Sequence, residues 1–217
     1  MTKPLTAEQI RTALAPFQVS LSTEQISKIR EYVNLLLKWN RTLSLTSIID
    51  PIEIVARHFG ESLFAATLLP VENGRLADVG TGAGFPGLAI KIMAPGLSVT
   101  LVESNKKKCV FLSEVVRTIG LRDVEILPVR FEDIPSNVGG PESKFDVITA
   151  RALGAHREFL KTAKHQLKFR GHVMMWLGGE DVTELSTNQD WIWQPAVRIP
   201  DSQRRFILVG RPRPDLH

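Results

Sequence analysis

The stretch ADVGTGAGFPG, Ala77 to Gly87, holds four glycines and a proline. The apolar run RLADV leads into it and the helical pattern GLAIKIMA leads out. A loop so bare of side chains lets a ligand approach the backbone closely. The dinucleotide fingerprint asks for glycine at the first, third and sixth positions of such a loop. Counted from Gly80, the third position is Gly82, but the sixth is Phe85, and the extra glycine falls at Gly84. The spacing therefore disfavours a pyrophosphate. It suits a nucleoside cofactor without one, of which S-adenosylmethionine is the common case, passing over the loop just beyond Asp78.

Downstream of this loop, strand-like and helix-like segments alternate. RLADV (residues 75–79), SVTLV (98–102), VEILP (124–128), FDVITA (145–150) and GHVMMWL (171–177) read as five buried strands. GLAIKIMA (87–94), NKKKCVFLSEVVRTIG (105–120) and AHREFLKTAKHQL (155–167) read as the helices between them. Asn105 is placed as an N-cap and Gly120 as a stop. Alternation at these lengths predicts an α/β fold built from right-handed βαβ units, a Rossmann-like sheet with helices on both faces. RRFILVG (204–210) reads as a further, antiparallel edge strand after a loose stretch from Glu180 to Gln203, and SNVGGPES (136–143) as an exposed loop.

Upstream, the grammar is helical. Thr6/Gln9 and Ser22/Gln25 have capping-box spacing, and Asp50-Pro51 is a third helix start. Ile26, Ile29, Val33, Leu36 and Leu37 then form one apolar face, as do Val55, Phe59 and Leu63 at four-residue steps. The expected organisation is a helical N-terminal extension over residues 1–70 and a methyltransferase-like core over 71–217.

The 217 residues are 43% hydrophobic, enough for a sizeable core. No window of eighteen apolar residues and no signal-peptide pattern occurs, so no membrane association is expected. One cysteine, Cys109, excludes a disulfide framework, and a cytoplasmic protein fits. The His and Cys residues show no metal-ligand spacing, so no metal is expected. The net charge is +4, and between Ser104 and Arg170 there are 13 Lys/Arg against 8 Asp/Glu. Such a local basic bias points to an anionic partner. Lys106, Lys107 and Lys108 occupy a first helical turn, where cations oppose the macrodipole, which suggests phosphate contact.

Glu103, at the end of the second strand, is placed to accept both ribose hydroxyls of an adenosine. Glu132 and Asp133 follow the third strand, where an acid can accept its adenine amino group. The chain after the fourth strand, DVITARAL, lacks the Pro-Pro-aromatic motif typical of enzymes methylating exocyclic adenine nitrogens. Cys109 lies in an apolar helical run, as a packed residue and not a nucleophile. An acceptor atom that already has a free lone pair, such as guanine N7, needs neither device. O-methylation and small-molecule targets survive this argument too.

KWNRTLSLTSIIDPIEIVARHFGESL (38–63), LADVGTGAGFPGLAIKI, ESNKKKCVFL and VITARAL together resemble the bacterial 16S ribosomal RNA (guanine-N7)-methyltransferases, the RsmG or glucose-inhibited division protein B family. The resemblance runs from about Tyr32 to Val209. It implies a class I S-adenosylmethionine-dependent methyltransferase acting on a guanine N7 in the decoding region of the small ribosomal subunit; a monomer is expected. It also implies that Gly80 and Phe85 line the cofactor, that Glu103 lies at the ribose, and that Phe131 with Glu132 lies at the adenine. Arg151 falls at the wall of the cofactor or active site, and Asn40, Thr46, Arg57 and His58 in a motif folded over the cleft. The sites expected are thus Arg57, His58 and Arg151 for catalysis. Asp78, Gly80, Gly82, Gly84, Phe85, Glu103, Phe131, Glu132 and Arg151 are expected at the cofactor, and Asn40 with Lys106 to Lys108 at RNA. Ser44, Glu61 and Gly178 depart from the family pattern. A protein or small-molecule methyltransferase, or a non-catalytic RNA-binding assembly factor, are the competing readings.

Overall fold

The computed structural model describes residues 4–69, 71–134, 144–152 and 154–214; the loop expected at 136–143 lies outside them. Helices α1 (Ala7–Leu14) and α2 (Thr23–Trp39) open the chain, and both expected capping boxes are present, with Thr6 and Ser22 exchanging hydrogen bonds with Gln9 and Gln25. Asp50 caps α3 (Pro51–Ile54), its Oδ1 accepting from the Glu53 amide at 2.8 Å. The helix does not continue as the regular α-helix that the four-residue spacing predicts. It widens into a π-helical turn over Val55–Gly60 before α4 (Glu61–Ala66). Val55, Phe59 and Leu63 are still buried, so the apolar spacing was insensitive to the change of pitch. Gly60 lies so close to Phe17 that an added Cβ would stand 2.2 Å from its ring.

The core follows: β1 (Gly74–Val79), α5 (Gly87–Met93), β2 (Leu97–Val102), α6 (Lys106–Thr118), β3 (Val124–Leu127), β4 (Phe145–Arg151), α7 (His156–Gln166) and β5 (Leu167–Gly178). Then come α8 (Gly179–Ser186), β6 (Trp191–Trp193), β7 (Val197–Arg198) and β8 (Arg205–Pro212). The sheet order is β3-β2-β1-β4-β5-β8-β6, with β7 also paired to β8. The first five strands are mutually parallel, and β8 runs antiparallel to β5. The antiparallel direction was expected, but the edge position is corrected, because β6 and β7 cover the outer side of β8. The stretch expected to be loose supplies α8, β6 and β7. These are short elements whose apolar residues, such as Leu185 and Trp191, are too few to show a period.

Each strand sends alternate residues to opposite faces. Met174 and Trp176 of β5 pack with α1, α2, α5 and α6 in one apolar core, which is continuous from the N-terminal helices into the sheet. Val173, Met175 and Leu177 pack on the other side with Phe159, Leu160 and Ala163 of α7 and with Leu185 of α8. Among the described residues no helix is long and apolar enough to cross a membrane.

The extension reaches the glycine loop through Tyr32, which is fully buried. Its hydroxyl donates to the Ala83 carbonyl, and its ring stacks on Phe85 with centroids 5.2 Å apart. At Gly84, φ is +89° and an added Cβ would lie 2.2 Å from the Tyr32 oxygen. Gly84→Ala is therefore expected to lose about 2 kcal/mol of stability in urea titrations, and an unchanged midpoint would contradict this packing.

Candidate active site

The parallel strands end together, and the glycine loop leaves the tip of β1. Asp78 braces it from beneath. Its buried carboxylate accepts from the Thr81 hydroxyl, from the Gly87 amide at 2.8 Å and from Thr149 Oγ1 at 2.9 Å. Burial raises this carboxyl to about 6, and the three hydrogen bonds limit the rise. The Gly80 amide donates to the Val102 carbonyl at 2.9 Å, tying the loop to β2. At Gly82 φ is +58°, and an added Cβ would meet nothing closer than the Gly80 carbonyl oxygen at 3.8 Å. The loop thus leaves open space above Gly82, of the kind a ligand passing over the backbone requires.

Glu103 closes this space from β2. One carboxylate oxygen accepts from the Gly82 amide at 3.0 Å and the other from the Asn105 amide at 2.8 Å. A carboxylate has about four lone-pair sites, so capacity for two hydroxyls remains. The adjoining cavity, ≈ 180 Å³, is lined by Val79, Gly80, Val102, Glu103, Phe131 and Glu132 among others. Phe131 is anchored by Phe159, with ring centroids 5.7 Å apart.

Gly80, Gly82, Glu103, Phe131 and Glu132 are thus brought together as expected, and they fit an adenosine. Three other residues expected at the cofactor do not present side chains there. Asp78 is enclosed beneath the loop, Gly84 faces Tyr32, and the Phe85 ring lies between Tyr32 and His58, 4.9 Å from the imidazole centroid. The apolar surface of the helical extension draws Phe85 away from the cleft.

A second cavity, ≈ 440 Å³, opens beyond the tips of β4 and β5, between Arg57, Glu61, Arg151, Trp176, Asp181 and Arg205. Glu61 is its organising group. The carboxylate is 2% exposed, and it receives Arg57 Nε at 3.2 Å, Arg151 Nη2 at 3.1 Å and Arg205 Nη1. Arg151 Nη2 also donates to the Arg57 carbonyl at 3.2 Å, while its Nη1 is buried with no protein partner. Three guanidiniums face Glu61 and Asp181, so the lining is net positive. Burial pushes the Arg151 guanidinium below its ordinary range, against the attraction of Glu61.

His58 lies behind the glycine loop, stacked on Phe85 and close to Arg57 and Arg151. Its Nε2 lies 2.8 Å from Thr46 Oγ1, and its Nδ1 is buried without a partner. Burial, reinforced by Arg151 and Arg57, lowers the imidazole to about 3. It is therefore neutral through the physiological range and unsuited to proton transfer there. Asn40 is used up locally: its oxygen accepts from the Leu45 and Thr46 amides at 2.8 and 3.0 Å, and its amide donates to the Thr46 carbonyl at 2.8 Å. It clamps the loop that presents Thr46 to His58. Lys106 and Lys107 are exposed on the first turn of α6, which Asn105 caps. Trp39, partly buried against the core, donates to Glu114 at 3.0 Å and packs on Phe111. Cys109 is buried, its thiol donating to the Glu103 carbonyl at 3.2 Å, and burial raises it.

Sequence reasoning missed Tyr32, Trp176, Asp181 and Arg205. Arg205 stands in an unremarkable Arg-Arg pair before an apolar strand, and no local pattern marks its partner 144 residues away. Gly178, where the family pattern has another residue before glycine, ends β5 at the N-cap position of α8, and its amide donates to Asp181 at 3.3 Å.

The sheet order, the glycine loop and the acids at successive strand ends define a class I S-adenosylmethionine-dependent methyltransferase. A methyltransferase of this kind from Aquifex aeolicus superposes with a TM-score of 0.59 over 74% of this chain and 93% of that one, at 19% identity. More narrowly, the family model described as GidB, rRNA small subunit methyltransferase G, matches residues 25–198, and the chain belongs to that family. It is 39% identical over 200 residues to ribosomal RNA small subunit methyltransferase G of Xylella fastidiosa (strain M23), spanning 89% of this chain and 90% of that one. The corresponding protein of Desulfitobacterium hafniense (strain Y51) is 38% identical over 84% of this chain and 75% of its own.

The buried imidazole has a measurable consequence. The unfolded chain protonates His58 near its ordinary value of 6.5, whereas the folded chain resists protonation to about 3. The stability it contributes is full above pH 6.5 and is lost as the pH falls toward 3. Asp78, raised to about 6, acts in the opposite sense. His58→Asn should remove the first contribution alone. The stability change from pH 7.5 to pH 5, read from urea unfolding, should differ from the wild type by up to about 2 kcal/mol in favour of the variant at pH 5. Parallel profiles would contradict a neutral buried imidazole.

Proposed function

We propose that this chain transfers a methyl group from S-adenosylmethionine to N7 of a guanine in the decoding region of 16S rRNA, acting as a cytoplasmic monomer. The observation that carries this reading is the chemistry of the Arg57–Glu61–Arg151–Arg205–Asp181 cavity beside the glycine loop. Guanine presents acceptors, O6 and N7, on one edge and donors, N1–H and the N2 amine, on another. Guanidinium donors and one carboxylate match that arrangement. A guanidinium of the cavity wall, Arg57 or Arg151, donates to O6, which leaves the N7 lone pair free, and Asp181 accepts from the donor edge.

When bound, S-adenosylmethionine supplies an electrophilic methyl carbon. Gly80 and Gly82 give it backbone room, Glu103 accepts the ribose hydroxyls, and Phe131 with Glu132 borders the adenine. The protein's task at the other reactant is placement and electrostatics. N7 carries no proton, so no base is required, in keeping with an imidazole that stays neutral. His58 is a positioning residue, holding Phe85 on one side and Thr46 on the other. Arg57 and Arg151 contact the nucleotide, and Lys106, Lys107 and Lys108 meet phosphates outside the cleft. The names of the curated relatives support an rRNA substrate.

Labelled cofactor incubated with small subunits or 16S rRNA should deliver label to guanine, with kcat free of a base ionisation between pH 6.5 and 9. Substrate transcribed with 7-deazaguanine should bind and accept no methyl, since its C7 has no lone pair. Normal transfer to that analogue would place the reaction on another atom.

A further inference from the structure

At the end of the sheet opposite both cavities, α7 turns into β5 through an irregular corner. Phe145 pairs with Leu167, but Val147 pairs with His172, so β5 carries extra residues that bulge outward. Arg170 sits in this bulge with φ at +65°, a conformation disfavoured for a side chain of its kind. Gly171 locks it, because an added Cβ would lie 2.9 Å from the Leu167 side chain and 3.0 Å from the carbonyl oxygens of Lys168 and Phe145. The result is to expel an aromatic residue. Phe169 is 84% exposed, and the Arg170 guanidinium lies 5.5 Å from its ring centroid.

The ring stands at a groove of ≈ 340 Å³ running to the far end of β8. Lys164, Lys168, Arg170, Arg211 and Arg213 line it. Asp146 pairs with Lys168 at 3.0 Å, and Arg213 Nε donates to the Gln189 carbonyl at 2.8 Å. Among the described residues the lining contains no carboxylate.

We propose that this corner is a second RNA-docking surface, with phosphates crossing Arg170, Arg211 and Arg213 and an unpaired base stacked on Phe169. The proposal rests on the rRNA reading given under the proposed function. A flat ring backed by guanidinium and set among cations is the composition of a platform for single-stranded or looped RNA. One exposed ring without apolar neighbours in the groove, apart from the edges of Leu167 and two prolines, is a poor anchor for a protein, whose hot spots are enclosed by packed contacts. Phe169 and Trp176 are seven residues apart on β5, which is about 23 Å of strand. RNA held at the corner cannot touch the transferring atoms, so the contact serves affinity and orientation.

The test compares wild type, Phe169→Ala, Phe169→Trp and the double variant Arg170→Gln/Arg213→Gln. It measures methyl transfer to 16S rRNA and to small subunits, filter binding across a salt series, and S-adenosylmethionine affinity by calorimetry. Phe169→Ala should raise KM for rRNA about tenfold, with kcat and cofactor affinity unchanged, and Phe169→Trp should restore KM. The double variant should flatten the log–log salt dependence by roughly 1.4 on single-stranded RNA. If wild type methylates rRNA while these variants keep its KM and salt slope, the corner proposal alone is overturned. If wild type neither binds nor methylates rRNA, both readings fall. Weakened binding to subunits with normal binding to free 16S rRNA would assign the corner to a ribosomal protein and overturn the RNA occupant.

Discussion

One buried carboxylate ties the molecule together. Glu61 belongs to the helical extension, yet it holds Arg57 from the π-helical turn, Arg151 from the tip of β4 and Arg205 from the start of β8. A single carboxylate at 2% exposure would be costly to desolvate alone, and three guanidiniums offset that cost. The converse is also true. Without Glu61 the arginines would repel one another, and removing one partner of such a buried set typically costs about 3 kcal/mol. The cluster therefore fixes the extension to two separate strands of the sheet, and the surplus positive charge it gathers is what the cavity offers to a nucleotide.

The π-helical turn makes this geometry possible. A regular helix advances about 100° per residue, and widening the turn between Val55 and Gly60 alters which side chains face the sheet. Arg57 reaches Glu61 on the same helix while His58 reaches Thr46 and stacks on Phe85. Tyr32 adds a second hold on the loop from α2. The cofactor loop is thus supported on one side by Asp78 in the sheet and on the other by aromatic residues of the extension. The extension is consequently part of the site and not an appendage to it.

Much of this was legible in the chain because it is local. Alternating strands and helices, the caps at Thr6, Ser22, Asp50 and Asn105, the glycine loop and the acid at the end of β2 all express short-range rules of period, capping and backbone freedom. What stayed hidden depends on long-range packing. Arg205 gains its place only through the register that sets it opposite Gly178. Phe85 and Gly84 sit within the glycine motif, but their side-chain directions are decided by Tyr32 and His58, which the motif does not contain. Asn40 carries the residue type of an RNA contact and spends its polar atoms on its own loop. The π-helical turn left no mark, because Val55, Phe59 and Leu63, spaced as in a regular helix, are buried all the same.

The atom that receives the methyl group leaves a chemical signature on the RNA. N7-methylguanosine carries a fixed positive charge that renders its ring susceptible to borohydride reduction and the RNA to subsequent aniline scission. Small subunits from cells lacking this protein, incubated with it and S-adenosylmethionine, should acquire one such scission point, at a guanine of the decoding region. Methyl incorporation that leaves the 16S rRNA resistant to scission, or that maps to an exocyclic or ribose position, would contradict the account.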